Sequence, residues 1–168
     1  MTDDTFESRG IGSVYAGPAG KIVNKSGTVR VGEAGIAPSY AIRITNGVAY
    51  LAKASDKKFS GIACPAESSH GLDTAFTYSA TASLCDKIEY FAAGSGEEVW
   101  AWLLAQSPAT ALSEETILCL SATDGFLDAW TYTDGNDLTD SNIIQVGHLR
   151  DYDAGSTSAR LRRIVLNI

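Results

Sequence analysis

RITNGVAYLAKASDKKFSGIACP, residues 43–65, is the stretch on which the reading of this chain turns. It is entered through alternation, with Ile42 and Ile44 on one side of an extended chain and Arg43 and Thr45 on the other. Asn46-Gly47 then supplies a two-residue turn, because a type I′ hairpin needs positive φ at both central residues and these two tolerate it best. Such a turn fixes the register: Thr45 opposite Val48, Ile44 opposite Ala49, Arg43 opposite Tyr50 and Ile42 opposite Leu51. Ile42, Ile44, Ala49 and Leu51 thereby share one face, as a half-buried antiparallel pair requires. After a charged break at Asp56-Lys57-Lys58, Phe59 to Ala63 reads as a further short strand, stopped by Cys64-Pro65. The pattern is that of a small β-barrel.

Working outward, the same arrangement recurs. Thr116 to Tyr132 (TILCLSATDGFLDAWTY) is a second hairpin with Asp124-Gly125 at its turn, expected to set Thr123 opposite Phe126, Ala122 opposite Leu127 and Leu120 opposite Ala129. Its apolar face, Leu118, Leu120, Leu127 and Ala129, matches that of the first hairpin. A polar loop, Asp134 to Asn142, then leads to Ile143–Leu149, which takes the place of Phe59–Ala63. Aligning Ile36 with Leu112 gives an offset of 76 residues (112 minus 36), growing to 86 at the glycines (147 minus 61). These correspondences suggest an internal two-fold pseudo-repeat. Between the hairpins, Asp86–Phe91 alternates with Ile88 and Tyr90 on one face, and Glu98–Ala105 returns as an apolar strand with Trp100 and Trp102 sharing a side. Lys21–Val31 reads as two short strands about Lys25-Ser26-Gly27, and Glu67–Ser83 as a loop-like insert with a strand near Phe76 and Tyr78. The final strand, Ser158–Ile168, sets Arg160, Arg162, Ile164 and Leu166 against Leu161, Arg163 and Val165. It is expected to close the sheet with its arginines near an edge or interface.

The expected fold is therefore all-β: a single small β-barrel or sandwich of short antiparallel strands over residues 13–168, preceded by a flexible arm over residues 1–12. The arm (MTDDTFESRGIG) is either a frayed terminus or a segment that orders only on a partner. A net charge of −7 argues against nucleic acid as partner, since phosphate binding draws on clustered Lys and Arg. The one dense basic group, Arg160, Arg162 and Arg163, reads as a charged strand. The N-terminal segment has no apolar h-region and the chain no apolar run of membrane-spanning length, so neither secretion nor a membrane is expected. Cys64, Cys85 and Cys119 are odd in number and widely spaced, which points to free thiols in a reducing cytoplasm.

No motif of catalysis or cofactor binding stands out, and neither a cofactor nor a metal is expected. Ser69, His70 and Asp73 supply the residue types of a hydrolase triad, but neighbours on one loop seldom converge and no nucleophile elbow supports them. Asp134, Asn136, Asp137 and Asp140 make an oxygen-rich loop without the glycine or distal Glu of a calcium-binding EF-hand. His148 lies in an apolar strand, where a hydrogen-bonded structural role is usual. Trp100, Trp102 and Trp130 could stack on sugar, although at strand spacing they more often serve a core or a subunit interface.

The order GEAGIAPSYAIRITNGVAYLAKA, FSGIACP, LCDKIEYFAAGSGEEVWAWLLA, ATALSEETILCLSATDGFLDAW and RLRRIVLNI, spread over residues 32–168, resembles the small β-barrel decoration, or cement, proteins of tailed-phage heads. The resemblance implies a non-enzymatic virion protein, made in the host cytoplasm, that binds the outer surface of an assembled lattice of major capsid protein and stabilises it. It implies no catalytic residue. Phe6, Arg9, Ile11 and Tyr15, isolated in a polar terminus, are the candidate capsid contacts. Trp100, Trp102, Arg160 and Arg162 are candidates for a subunit interface, with a homotrimer about a lattice axis among the arrangements open. The alternative is a carbohydrate- or ligand-binding β-module of a phage head or tail, using Trp130, Tyr132 and the acidic loop. A small hydrolase centred on His70 is the third.

Overall fold

A computed structural model describes residues 27–64, 78–79, 87–131 and 143–167. Among these residues twelve strands follow in order: β1 Gly27–Val31, β2 Ala34–Ile36, β3 Ala41–Thr45, β4 Val48–Leu51, β5 Gly61–Ala63, β6 Tyr78–Ser79, β7 Lys87–Ala92, β8 Glu98–Leu103, β9 Ile117–Leu120, β10 Leu127–Ala129, β11 Gln145–Leu149 and β12 Arg160–Val165. The all-β class expected from the sequence holds. The two ribbons do not share one sheet, however: each closes its own five-stranded barrel, β1-β4-β3-β5-β7 and β8-β10-β9-β11-β12.

The first hairpin has the register its turn dictates, with all four expected pairs from Ile42↔Leu51 to Thr45↔Val48. Asn46 and Gly47 take φ of 52° and 74°, the positive pair that a type I′ turn needs. Ile42 and Ala49 are fully buried inside the barrel, where Ile44 and Leu51 pack against them.

The pseudo-repeat is exact in topology. In each barrel the first strand runs parallel to the second arm of the hairpin (Val31↔Ala49 and Leu103↔Leu127) and antiparallel to the last strand. Ala63 N–H donates to Tyr40 O and Leu149 N–H to Thr116 O, both at 2.9 Å, so β5 and β11 dock alike. Gly61 and Gly147 correspond physically as well as in order. A Cβ at Gly61 would lie 2.0 Å from Phe91 O and one at Gly147 1.9 Å from Val165 O, so a strand passes too close for any side chain. Phe91 and Val165 occupy matching places on β7 and β12.

The second hairpin departs from expectation. Its pairs are Leu120↔Leu127, Cys119↔Asp128 and Leu118↔Ala129, a register two residues away from that of a two-residue turn. Asp124 does not take the positive φ that a type I′ turn demands, whereas Gly125 has φ 80°. The Ser121 hydroxyl instead folds the chain locally, accepting from Thr123 N–H at 3.0 Å and donating to Thr123 O at 2.8 Å. A two-residue shift preserves side-chain parity, so Leu118, Leu120 and Leu127 still fill the interior.

β12 is likewise no edge. It pairs with β8 on one side and β11 on the other, so of the two expected placements of its arginines, an edge or an interface, the edge is corrected.

Candidate functional site

Two constructions dominate the described residues: a seam between the barrels and a charged plug in the second barrel. The seam begins at the Asp-Gly turn. Gly125 N–H donates to Ala52 O and Gly125 O accepts from Ala41 N–H, both at 2.8 Å, so the turn inserts where β3 and β4 of the first barrel flare apart. Ala54 N–H donates to Ser121 O at 2.8 Å and Trp102 N–H to Ser39 O at 3.2 Å. Gly125 is needed here for space as well as φ, because a Cβ would sit 2.9 Å from Tyr40 and 3.0 Å from Leu51.

Side chains complete the joint. Tyr40, Trp102 and Phe126 form a half-buried triangle with ring centroids 5.2 Å (Tyr40–Phe126), 6.3 Å (Trp102–Phe126) and 6.4 Å (Tyr40–Trp102) apart. Ala41, Ile62 and Phe91 point out of the first barrel yet are at most 2% exposed, and they join the interior of the second barrel in one apolar cluster. Lys53 Nζ lies 3.1 Å from Asp124 Oδ1 across the joint, a half-exposed pair worth at most about 1 kcal/mol. Trp102, expected at a subunit interface, is thus used within the chain. Trp100 lies on the same outward side of β8 and is half-buried.

Arg160 and Arg162 share the inward side of β12 with Ile164. Arg160 is 8% exposed, and its Nε donates to Asp153 Oδ2 at 2.6 Å. Its remaining N–H groups reach Leu104 O at 3.1 Å, Ser156 O at 3.4 Å and Gln106 Oε1 at 2.9 Å. Arg162 Nη2 donates to Asp153 Oδ1 at 2.9 Å, and Gly155 N–H to the same oxygen at 3.0 Å. Asp153 itself is fully buried. Burial pushes its carboxyl up, but hydrogen bonds from Arg160, Arg162 and Gly155 outweigh this and hold it below the usual carboxylate range. Asp128 goes the other way: burial raises it, only partly offset by Ala129 N–H and by the charge of Arg160. On the outside, Arg163 chelates Asp151 and Arg150 Nε meets Glu98 at 2.8 Å, so the described arginines of β12 are committed to carboxylates of their own chain.

The remaining sequence candidates divide by position. Phe6, Arg9, Ile11 and Tyr15, the Ser69-His70-Asp73 group, Cys85, Tyr132 and the loop from Asp134 to Asp140 lie outside the described residues. His148 is half-buried, its Nδ1 2.7 Å from Asn167 Oδ1 and its Nε2 4.0 Å from Glu115. Cys64 and Cys119 are buried, and burial together with nearby Asp128 pushes the Cys119 thiol up to about 11, away from the reactive thiolate. Among the described residues no group of three or more His, Cys, Asp or Glu could hold a metal ion, and no helix is long and apolar enough to cross a membrane. The Asp153 plug was missed from sequence, although an arginine on the apolar side of an alternating strand is itself a signal that an acid must lie nearby. In comparisons with known proteins, no family model matches the chain and no curated protein matches its sequence.

Proposed function

We propose that the chain is a structural virion protein, a decoration or cement protein that binds the outer surface of an assembled capsid and stabilises it. The observation that carries this reading is the locking of two closed barrels through backbone hydrogen bonds at Gly125. Closed barrels offer no strand edge for stray pairing, and a stiff two-barrel body presents a broad surface at little ordering cost. The order of motifs that resembles decoration proteins coincides with β2–β5, β7–β8, β9–β10 and β12. The described arginines of β12 are satisfied internally, which suits a surface facing away from packaged nucleic acid.

A protein that binds only the expanded lattice stabilises it by mass action, by about 2.7 kcal/mol per site at a free concentration 100 times Kd. The test is co-sedimentation with empty expanded phage heads followed by cryo-electron microscopy. Density across the outer junctions of capsid subunits is expected, and heads that stay bare overturn the reading. Deleting residues 1–12 is expected to leave the barrels folded and weaken binding; unchanged affinity removes Phe6, Arg9 and Ile11 as contacts.

A further inference from the structure

The two barrels carry opposite charge. Among the described residues the first barrel, residues 27–64 and 87–92, holds six cations against three carboxylates, a net of +3 (six minus three). The second, with the turn that leads into it, spans residues 93–131 and 143–167 and holds four cations against eight carboxylates, a net of −4 (four minus eight). The whole chain carries −7, so the first barrel is a basic body on an acidic molecule. Charge separated in this way sets up fields of opposite sign at the two barrels.

The cations centre on the outward face of β7, β1, β4 and β3. Val29, Val31, Ile88 and Tyr90 pack inside the barrel, so alternation turns Arg30 and Lys87 outward. These two stand directly opposite each other on β1 and β7, both exposed and neither ion-paired among the described residues. Like charges in that register repel. They do not guard an open edge either, because β1 and β7 are paired on both sides in the closed barrel. Two residues beyond Arg30, the Tyr50 ring occupies the space that a side chain at Gly32 would take. Arg43 stacks on that ring, its Cζ 4.8 Å from the centroid and its Nε 3.0 Å from Asp56 Oδ2. Lys57 and Lys58 follow Asp56 and are exposed. Of the three carboxylates, Glu33 accepts from Leu51 N–H and Asp56 lies against Arg43. β1 and β4 lie across the circle from β5, whose Ile62 joins the second barrel's core.

We propose that this face is a docking surface for an acidic protein partner, whose exposed Asp and Glu side chains answer the Arg30–Lys87 pair. Charge complementarity names the partner. Carboxylates set against two opposed cations relieve their repulsion, and the acidic second barrel turns such a partner toward the first. Duplex nucleic acid, with a phosphate charge about every 1.7 Å along its axis, fits a few spread cations on an acidic body less well. This goes beyond the virion reading, and its test contains no capsid, so either can fail alone.

The experiment titrates dye-labelled poly-L-glutamate with the full chain, read by fluorescence anisotropy at about 0.1 M salt, where charges act over about 10 Å. Binding is expected although both molecules are acidic, weakened about tenfold or more by Arg30→Glu and, independently, by Lys87→Glu. Arg150→Glu makes the same change in net charge on the second barrel and is expected to weaken binding by less than about threefold. Either reversal on the first barrel replaces a repelling pair with an attracting one, so the thermal midpoint is expected to hold or rise, which separates lost binding from lost folding. No binding of poly-L-glutamate, or an equal loss in Arg150→Glu, would overturn the proposal. Tighter binding of duplex DNA than of poly-L-glutamate at equal total charge would overturn it too, by making the face a nucleic-acid surface.

Discussion

The two barrels share their strand order and differ in what fills the same place within it. β6 brings Tyr78 to Ile36 in the first barrel; the equivalent bridge in the second brings Asp153 to Leu112. Tyr78 is fully buried and its hydroxyl donates to Cys64 O. Asp153 is equally buried but carries charge, answered by Arg160 and Arg162. One backbone plan therefore accepts either an aromatic ring or an ion cluster, and the difference lies in what happens when half of the filling is removed. Asp153→Ala strands a buried guanidinium and is expected to cost about 3–5 kcal/mol in urea unfolding. Tyr78→Phe keeps the ring and is expected to cost about 1 kcal/mol. Equal losses would erase the distinction.

Acid sharpens the same contrast. The Asp153 carboxyl is held below its unfolded value, so the stability it contributes is present above the ordinary carboxylate range and is lost as pH falls through its folded pKa. Asp128, raised by burial, has the opposite sign: it costs stability at neutral pH, and Asp128→Asn is expected to raise the pH 7 midpoint while the Asp153 acid transition stays.

Where the barrels are alike, substitutions should act alike. Gly61→Ala and Gly147→Ala each push a methyl group into a carbonyl oxygen, and each is expected to cost about 3 kcal/mol. The hairpin glycines should differ. Gly47→Ala meets only the left-handed backbone penalty, about 1 kcal/mol, whereas Gly125→Ala adds contact with Tyr40 and Leu51 and is expected to approach about 2 kcal/mol. Equal values from chemical denaturation would mean that the seam yields freely around the turn.

This pair also shows what the sequence could reveal. Asn46-Gly47 projects into open space, so local turn chemistry alone decides its register, and all four pairs follow from it. Asp124-Gly125 has the same local signal, but its amide and carbonyl are taken by Ala52 and Ala41 from more than seventy residues upstream, and the register moves by two. Side-chain parity survives, which is why the apolar faces and the match of Gly61 with Gly147 were legible although the turn geometry was not. Two barrels in place of one sheet were not legible, because alternation tells which face is buried and is silent on which strand closes the circle. Arg160 shows the same limit: its place in the alternation was clear, but the acid that neutralises it sits in a loop with no periodic pattern.

Ser39 and Glu115 allow the smallest comparison. Both non-glycine residues are left-handed, at φ 70° and 69°, just before the first arm of a hairpin, and both donate their N–H across 2.9 Å to the matching strand. Glycine at either site relieves about 1 kcal/mol of steric cost, and the unfolded chain's added freedom takes back about 0.4–1 kcal/mol. Glu115→Gly is therefore expected to leave stability within about 0.5 kcal/mol of wild type. Ser39 differs in being fully buried in the seam, with an Oγ that finds no hydrogen-bond partner among the described residues. Ser39→Gly also removes that orphaned hydroxyl, so a net gain of about 1 kcal/mol is expected from denaturant midpoints. Equal changes at both sites would mean that backbone strain alone is at issue; a loss at Ser39 would mean that its side chain fills space the seam needs.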